Sequence, residues 1–147
     1  MGRWCVWLAL VVAGPGVLTT QEADLRTSLA MAQTTWQARK PSAYEFTIEV
    51  RCYCPGIARV PPSFRVVDGE PSPVKLEAQS EYVYKSYNTI DKLFVAIDRS
   101  LSRGQYNSAV QYDERLGFPV VADLDPRRET ADDELFLRVS GFRVIEK

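Results

Sequence analysis

Apolar side chains first recur at helical spacing. Leu25, Leu29, Ala32 and Trp36 stand four, three and four residues apart, on one face of a helix over 24–39. Lys40-Pro41-Ser42 ends it, because the residue before a proline avoids helical backbone. From 43 to 54 the period changes to two. Tyr44, Phe46, Ile48, Val50, Cys52 and Cys54 alternate with Glu45, Thr47, Glu49, Arg51 and Tyr53, which predicts a long strand with one buried face. Pro55-Gly56 stops that strand, and 57–62 is a proline-bounded loop. Strands over 63–67 and 74–78 follow, joined through the turn dipeptide Asp68-Gly69. The spacer Glu70-Pro71-Ser72-Pro73 is expected to lengthen that loop beyond a tight hairpin. Residues 81–87 are tyrosine-rich, follow neither period and read as irregular.

A second amphipathic helix begins after Asn88 or Thr89 as N-cap. Ile90, Leu93, Phe94, Ile97 and Leu101 form its apolar stripe, and Gly104 closes it. Strands over 108–113 and 119–125 flank a turn at Glu114-Arg115-Leu116-Gly117. A last strand region covers 134–145, with Leu135, Leu137 and Val139 on one side. Gly141 there marks a bulge that moves the alternation onto Phe142 and Val144. The order α-βββ-α-βββ predicts a single α+β domain. It would be a mostly antiparallel sheet of about six strands, with both helices on one face.

The front of the chain reads differently. Arg3 precedes an apolar run from Trp4 to Ala13, broken by Gly14-Pro15-Gly16. The run is about half of the ~20 residues that a membrane-spanning helix needs. A basic start, a short apolar middle and small residues after it predict a secretory signal peptide over 1–20, cut between 16 and 23. The domain would then span 21–147, exported to a periplasmic or extracellular setting with no stable membrane span. Cys5 precedes the apolar run, where a lipid-attachment cysteine would have to follow it.

Composition narrows the chemistry. The 147 residues are 46% hydrophobic and 25% charged, which suits a globular domain rather than a disordered one. Histidine is absent, so Ser-His-Asp and Cys-His catalysis and imidazole metal ligation are excluded. A net charge of -1 gives no overall field for nucleic acid. No phosphate loop or dinucleotide fingerprint occurs, so no cofactor is expected.

Several motifs carry a resemblance. Trp36 leads into Tyr44-Glu45-Phe46-Thr47, followed by Cys52-Tyr53-Cys54-Pro55 and Phe64-Arg65-Val66-Val67-Asp68-Gly69. Thr89-Ile90 opens the helix carrying Leu93-Phe94. Tyr112-Asp113, Gly117-Phe118-Pro119, Asp123-Leu124-Asp125-Pro126 and Asp132-Asp133-Glu134 come last. In that order and spacing, the chain from Asp24 onward resembles an exported bacterial family of unknown function, DUF6174. The resemblance implies a small extracytoplasmic domain, often behind a signal or lipid anchor, with no established activity. It supplies no catalytic residues. This chain departs from the lipid-anchored members in lacking a usable lipid-attachment box.

Cys52 and Cys54 are the two cysteines that remain after signal removal. Four readings stand: a structural disulfide, buried free thiols on the apolar face, a redox-active pair, and a soft-metal site. A regular strand puts residues i and i+2 about 6.5–7 Å apart between Cα atoms, at the upper edge of disulfide geometry, so a bond requires the chain to pinch. Two thiolates alone leave a zinc shell half empty. The acidic residues Asp113, Glu114, Asp123, Asp125, Asp132, Asp133 and Glu134 match no calcium loop and read as solvated. Tyr82, Tyr84 and Tyr87, with their apolar rings and polar tips, are the candidate surface for a protein partner. The sequence therefore points to a non-enzymatic extracytoplasmic binding or accessory domain with no catalytic or metal residues. The alternative is a thiol-disulfide protein acting through the Cys-x-Cys pair.

Overall fold

The computed structural model describes residues 20–146. The predicted export signal lies almost wholly outside them. Helix α1 (Thr20–Arg39) begins earlier than the apolar pattern indicates and ends where Pro41 requires. Leu29, Ala32 and Trp36 are buried along it, as their spacing predicts. Strand β1 (Ala43–Cys52) buries Tyr44, Phe46, Ile48 and Val50. Strands β2 (Ser63–Val67) and β3 (Glu70–Lys75) follow, then a short helix α2 (Glu81–Tyr84) and helix α3 (Ile90–Leu101). Strands β4 (Ala109–Tyr112), β5 (Pro119–Leu124) and β6 (Leu135–Val144) complete the fold.

The strands form one antiparallel sheet in the order β3-β2-β1-β6-β5-β4. The two βββ meanders lie side by side and are joined where β1 pairs with β6. Residues of α1 and α3 share one core with the inward side chains of the sheet. The predicted α+β architecture and its α-βββ-α-βββ order are therefore present, with α2 as an added turn of helix.

Helix α3 starts where Thr89 caps it: the Thr89 hydroxyl accepts from the Lys92 N–H at 3.2 Å. Its N-terminus is pinned twice more. The Ile90 N–H donates to the Tyr44 hydroxyl at 3.2 Å, and the Asp91 carboxylate accepts from Trp36 Nε1, Gln37 and Lys40. These contacts fix α3 against α1 and the sheet, and so position the groove described below.

Two expectations need correction. Glu70-Pro71-Ser72-Pro73 is not a loop spacer but most of β3, with Val66 opposite Pro71 and Phe64 opposite Pro73. The strand lies at the sheet edge, where a residue without an N–H leaves no ladder bond broken. Val67 pairs with Glu70, so Asp68-Gly69 is a tight two-residue turn, with φ +51° and +88° as a type I′ turn requires. Glu45, placed by alternation on the wet face, is buried. Arg65 bonds it from β2 at 2.6 Å and Arg143 bonds it from β6, so two neighbouring strands cover it with guanidinium groups. At Gly141 the expected bulge is present. Residues 141–142 oppose Phe46 alone, Gly141 has φ +58°, and Phe142 stacks on Phe118 and Tyr44. Val144 remains exposed.

The Glu45 cluster makes stability respond to acid. Hydrogen bonds from Arg65 and then Arg143 hold the Glu45 carboxyl below its ordinary value of 4.5. Its contribution is complete above that value and is lost as pH falls through the lowered folded-state value. Denaturant titrations of the wild type and Glu45→Gln should therefore show a stability gap that narrows on acidification. A gap independent of pH would remove Glu45 from the acid response.

Candidate functional site

Strand β1 ends at Cys52, which pairs with Leu135 at the start of β6. Beyond it the chain bends. The Cα atoms of Cys52 and Cys54 are 5.1 Å apart, shorter than regular strand rise allows, and the two sulfurs are joined. Tyr53 between them is 83% exposed. Both cysteines are half-buried, so the reading as thiols enclosed in the core does not hold. The apolar face of β1 runs as far as Cys52, which packs against the edge of the core, and alternation stops where the strand stops.

The pair lines a groove of about 410 Å³ between α3 and this end of the sheet. One wall is the side of α3 that carries Lys92, Val95, Ala96, Arg99 and the buried Ser100, continued by Arg103 just beyond the helix end. Lys85 and Tyr87 extend that wall from the preceding turn. Lys92 Nζ donates to the Lys85 carbonyl and to Asn88 Oδ1, both at 2.8 Å. Burial pushes the Tyr87 hydroxyl up, and the nearby charges of Arg99 and Arg103 oppose that shift. Ser100 is 5% exposed, and its Oγ has no hydrogen-bond partner among the described residues.

The other wall carries Asp132, Asp133 and Glu134, just before β6. Asp133 Oδ2 pairs with Arg127 Nε at 2.7 Å, while its buried Oδ1 has no partner among the described residues. No ion pair crosses from the cationic wall to the acidic one among the described residues. The arrangement holds opposite charges apart on separate elements.

The predicted tyrosine surface is divided. Tyr82 is 85% exposed, Tyr84 is 1% exposed, and Tyr87 is half-buried against the groove. Tyr84 packs its ring near Phe64 and Tyr87, and burial raises its hydroxyl against a hydrogen bond from the Ala58 backbone. The cause is the helical turn α2. Alternate residues share a face on a strand, but at 3.6 residues per turn they point roughly 200° apart. Tyr84 thus belongs to the core, and Tyr82 is the member that stays in solvent.

The acidic residues are also dispersed. Asp113 is a turn residue whose Oδ1 accepts the N–H groups of Arg115 and Leu116 at 3.1 and 2.7 Å. Asp123 is exposed on β5 and shares a second cleft with Glu134 and Cys52, while only 132–134 line the groove beside α3. Among the described residues, no group of three or more cysteine or carboxylate side chains is placed to hold a metal. The sequence reading missed the basic row. Lys92 and Arg99 stand seven residues apart on one helical face, with Arg103 just past the helix end, but the stronger apolar stripe of the same helix drew the interpretation.

DUF6174, a family of unknown function, matches residues 28–144. The chain belongs to this family. The match runs from α1 into the last residue of β6, so the DUF6174 domain includes the cysteine pair and both walls of the groove. No curated protein and no solved structure matches the chain. No helix among the described residues of this DUF6174 domain is long and apolar enough to cross a membrane.

Proposed function

We propose that this DUF6174 domain is a non-enzymatic binding module of an extracytoplasmic compartment, and that it takes its ligand in the groove between α3 and the Cys52–Cys54 end of β1. The observation that carries the reading is the groove itself, where two separate elements present charges that do not neutralise each other across it. The basic start and short apolar run of residues 1–18 support export, and a joined cysteine pair suits an oxidising compartment. A photo-crosslinking residue at position 96 in the groove, compared with one at the exposed position 31 on α1, tests this in the protein isolated from its own exported fraction. A discrete adduct at position 96 and none at 31 is expected. Equal labelling at both positions, or none at either, overturns the reading.

A second reading is favoured by one observation: the cysteine pair is half-exposed beside unpaired cations, the setting that favours a thiolate after reduction. In that reading the pair exchanges disulfides with a partner thiol. A reduction potential at or below about −300 mV, where structural disulfides lie, excludes it.

A further inference from the structure

We propose that the groove receives a zwitterionic ligand of the amino-acid or short-peptide class, with its carboxylate toward Arg99 and Arg103 and its ammonium toward Asp132 and Glu134. The proposal rests on the binding reading above and names the ligand of that same groove.

The charge layout leads to it. Where opposite charges face each other on adjacent strands of this molecule, they close into pairs: Arg65 and Arg143 on Glu45, and Arg138 on Glu49. Across the groove they do not. Lys85, Arg99 and Arg103 form no ion pair among the described residues, and neither do Asp132 and Glu134. A simple anion drawn to α3 would be repelled by the acidic wall, and a simple cation would be repelled by the arginines. A ligand carrying both charges meets attraction on each side.

The hydrogen-bonding inventory agrees. Ser100 Oγ on the α3 side and Asp133 Oδ1 on the opposite side are both buried with their bonding capacity unspent. Buried polar atoms are ordinarily paired, so two on one groove mark it as a place for polar groups from outside the chain. Asp133 Oδ1, as an ionised carboxylate oxygen, accepts only, and an ammonium donates only.

Spacing and size set the class. Arg99 stands in the last turn of α3, and Arg103 lies just beyond its end, where its N–H donates to the Ser100 carbonyl at 2.9 Å; both line the groove, and a carboxylate suits paired guanidinium donors. Lys92 lies a further ~10 Å along the helix, with its ammonium already held by Lys85 and Asn88. Between them Val95, 54% exposed, and Ala96 offer an apolar strip for a side chain. A volume of about 410 Å³ suits a free amino acid or a few linked residues rather than a folded partner.

The test uses trialanine in three forms: free, N-acetylated and C-amidated. Each is titrated calorimetrically at low salt into the full exported chain. Free trialanine is expected to bind, and each blocked form to bind about tenfold or more weakly, as loss of a charge-assisted contact entails. Arg99→Gln with Arg103→Gln should lose the distinction between free and amidated peptide while keeping that between free and acetylated. Asp132→Asn with Glu134→Gln should do the converse. All four side chains are exposed, and an unchanged thermal midpoint confirms that each variant is folded. Equal binding of the blocked and free forms, the same loss in both variants, or no binding of trialanine overturns the ligand class. If the adduct at position 96 forms while trialanine fails, the groove stands and its zwitterionic ligand falls. If both fail, so does the binding reading.

Discussion

Trp36→Ala should destabilise the domain by about 3–5 kcal/mol, the cost of emptying a fully enclosed aromatic site. Trp36 is 0% exposed. Its ring meets Tyr44 edge-on at 5.4 Å, Phe118 at 6.3 Å and Phe142 at 6.2 Å, so one side chain from α1 joins β1, the turn just before β5 and the bulge of β6. Its Nε1 also donates to Asp91 at the first turn of α3, at 3.3 Å. The truncation therefore leaves a cavity and removes a donor from a partly buried carboxylate. Urea denaturation followed by circular dichroism measures it, with Trp36→Phe as the control that keeps most of the packing and loses the donor. A loss below about 1 kcal/mol for Trp36→Ala would show that the surrounding rings collapse into the space.

Gly117→Ala should cost about 2–4 kcal/mol, from left-handed strain together with overpacking against backbone. Gly117 has φ +81°, and a Cβ there would lie 2.5 Å from the Ala32 carbonyl oxygen and 3.1 Å from the Trp36 nitrogen. Those atoms belong to α1, which Trp36 keys into the core, so the helix has little room to retreat. Gly69→Ala is the matched comparison. Its φ is +88°, but nothing lies within 4 Å, so only the conformational part, about 1 kcal/mol, is expected. Thermal melts of the two variants separate the steric cost from the torsional one. Equal losses would mean that the β4–β5 turn moves away from α1.

The elements legible in the sequence are those whose burial follows a local period. The alternation of β1 and the apolar stripe of α3 each state which face is inward, and the structure buries those side chains. Gly141 announces its bulge because a lone glycine in a strand breaks the alternation at that position. Where the outcome depends on what lies alongside, local pattern fails. Pro71 and Pro73 forbid a central strand but permit an edge, and edge position is a property of the sheet. Glu45 looks wet until β2 and β6 bring Arg65 and Arg143 over it. Tyr84 is internal because residues 81–84 turn helical, which a stretch lacking either period does not announce. The groove was the least legible feature. It draws on β1, α3 and the segment before β6, and no spacing within any one of them shows that the three meet.

The pairing of β1 with β6 also sets the order of events in making the molecule. β1 is the first strand along the chain and β6 the last, yet they are neighbours at the middle of the sheet. Until β6 has been synthesised, β1 has β2 on one side and an open apolar edge on the other, the kind of edge on which chains aggregate. Closing the sheet then requires contact between segments as far apart as Glu45 and Arg143, 98 residues along the chain, and such non-local pairing slows folding. A nascent chain of this kind stays unfinished until its end arrives and depends on being kept from other nascent chains meanwhile. The same lateness leaves the two halves of the sheet without their shared seam until β6 is present.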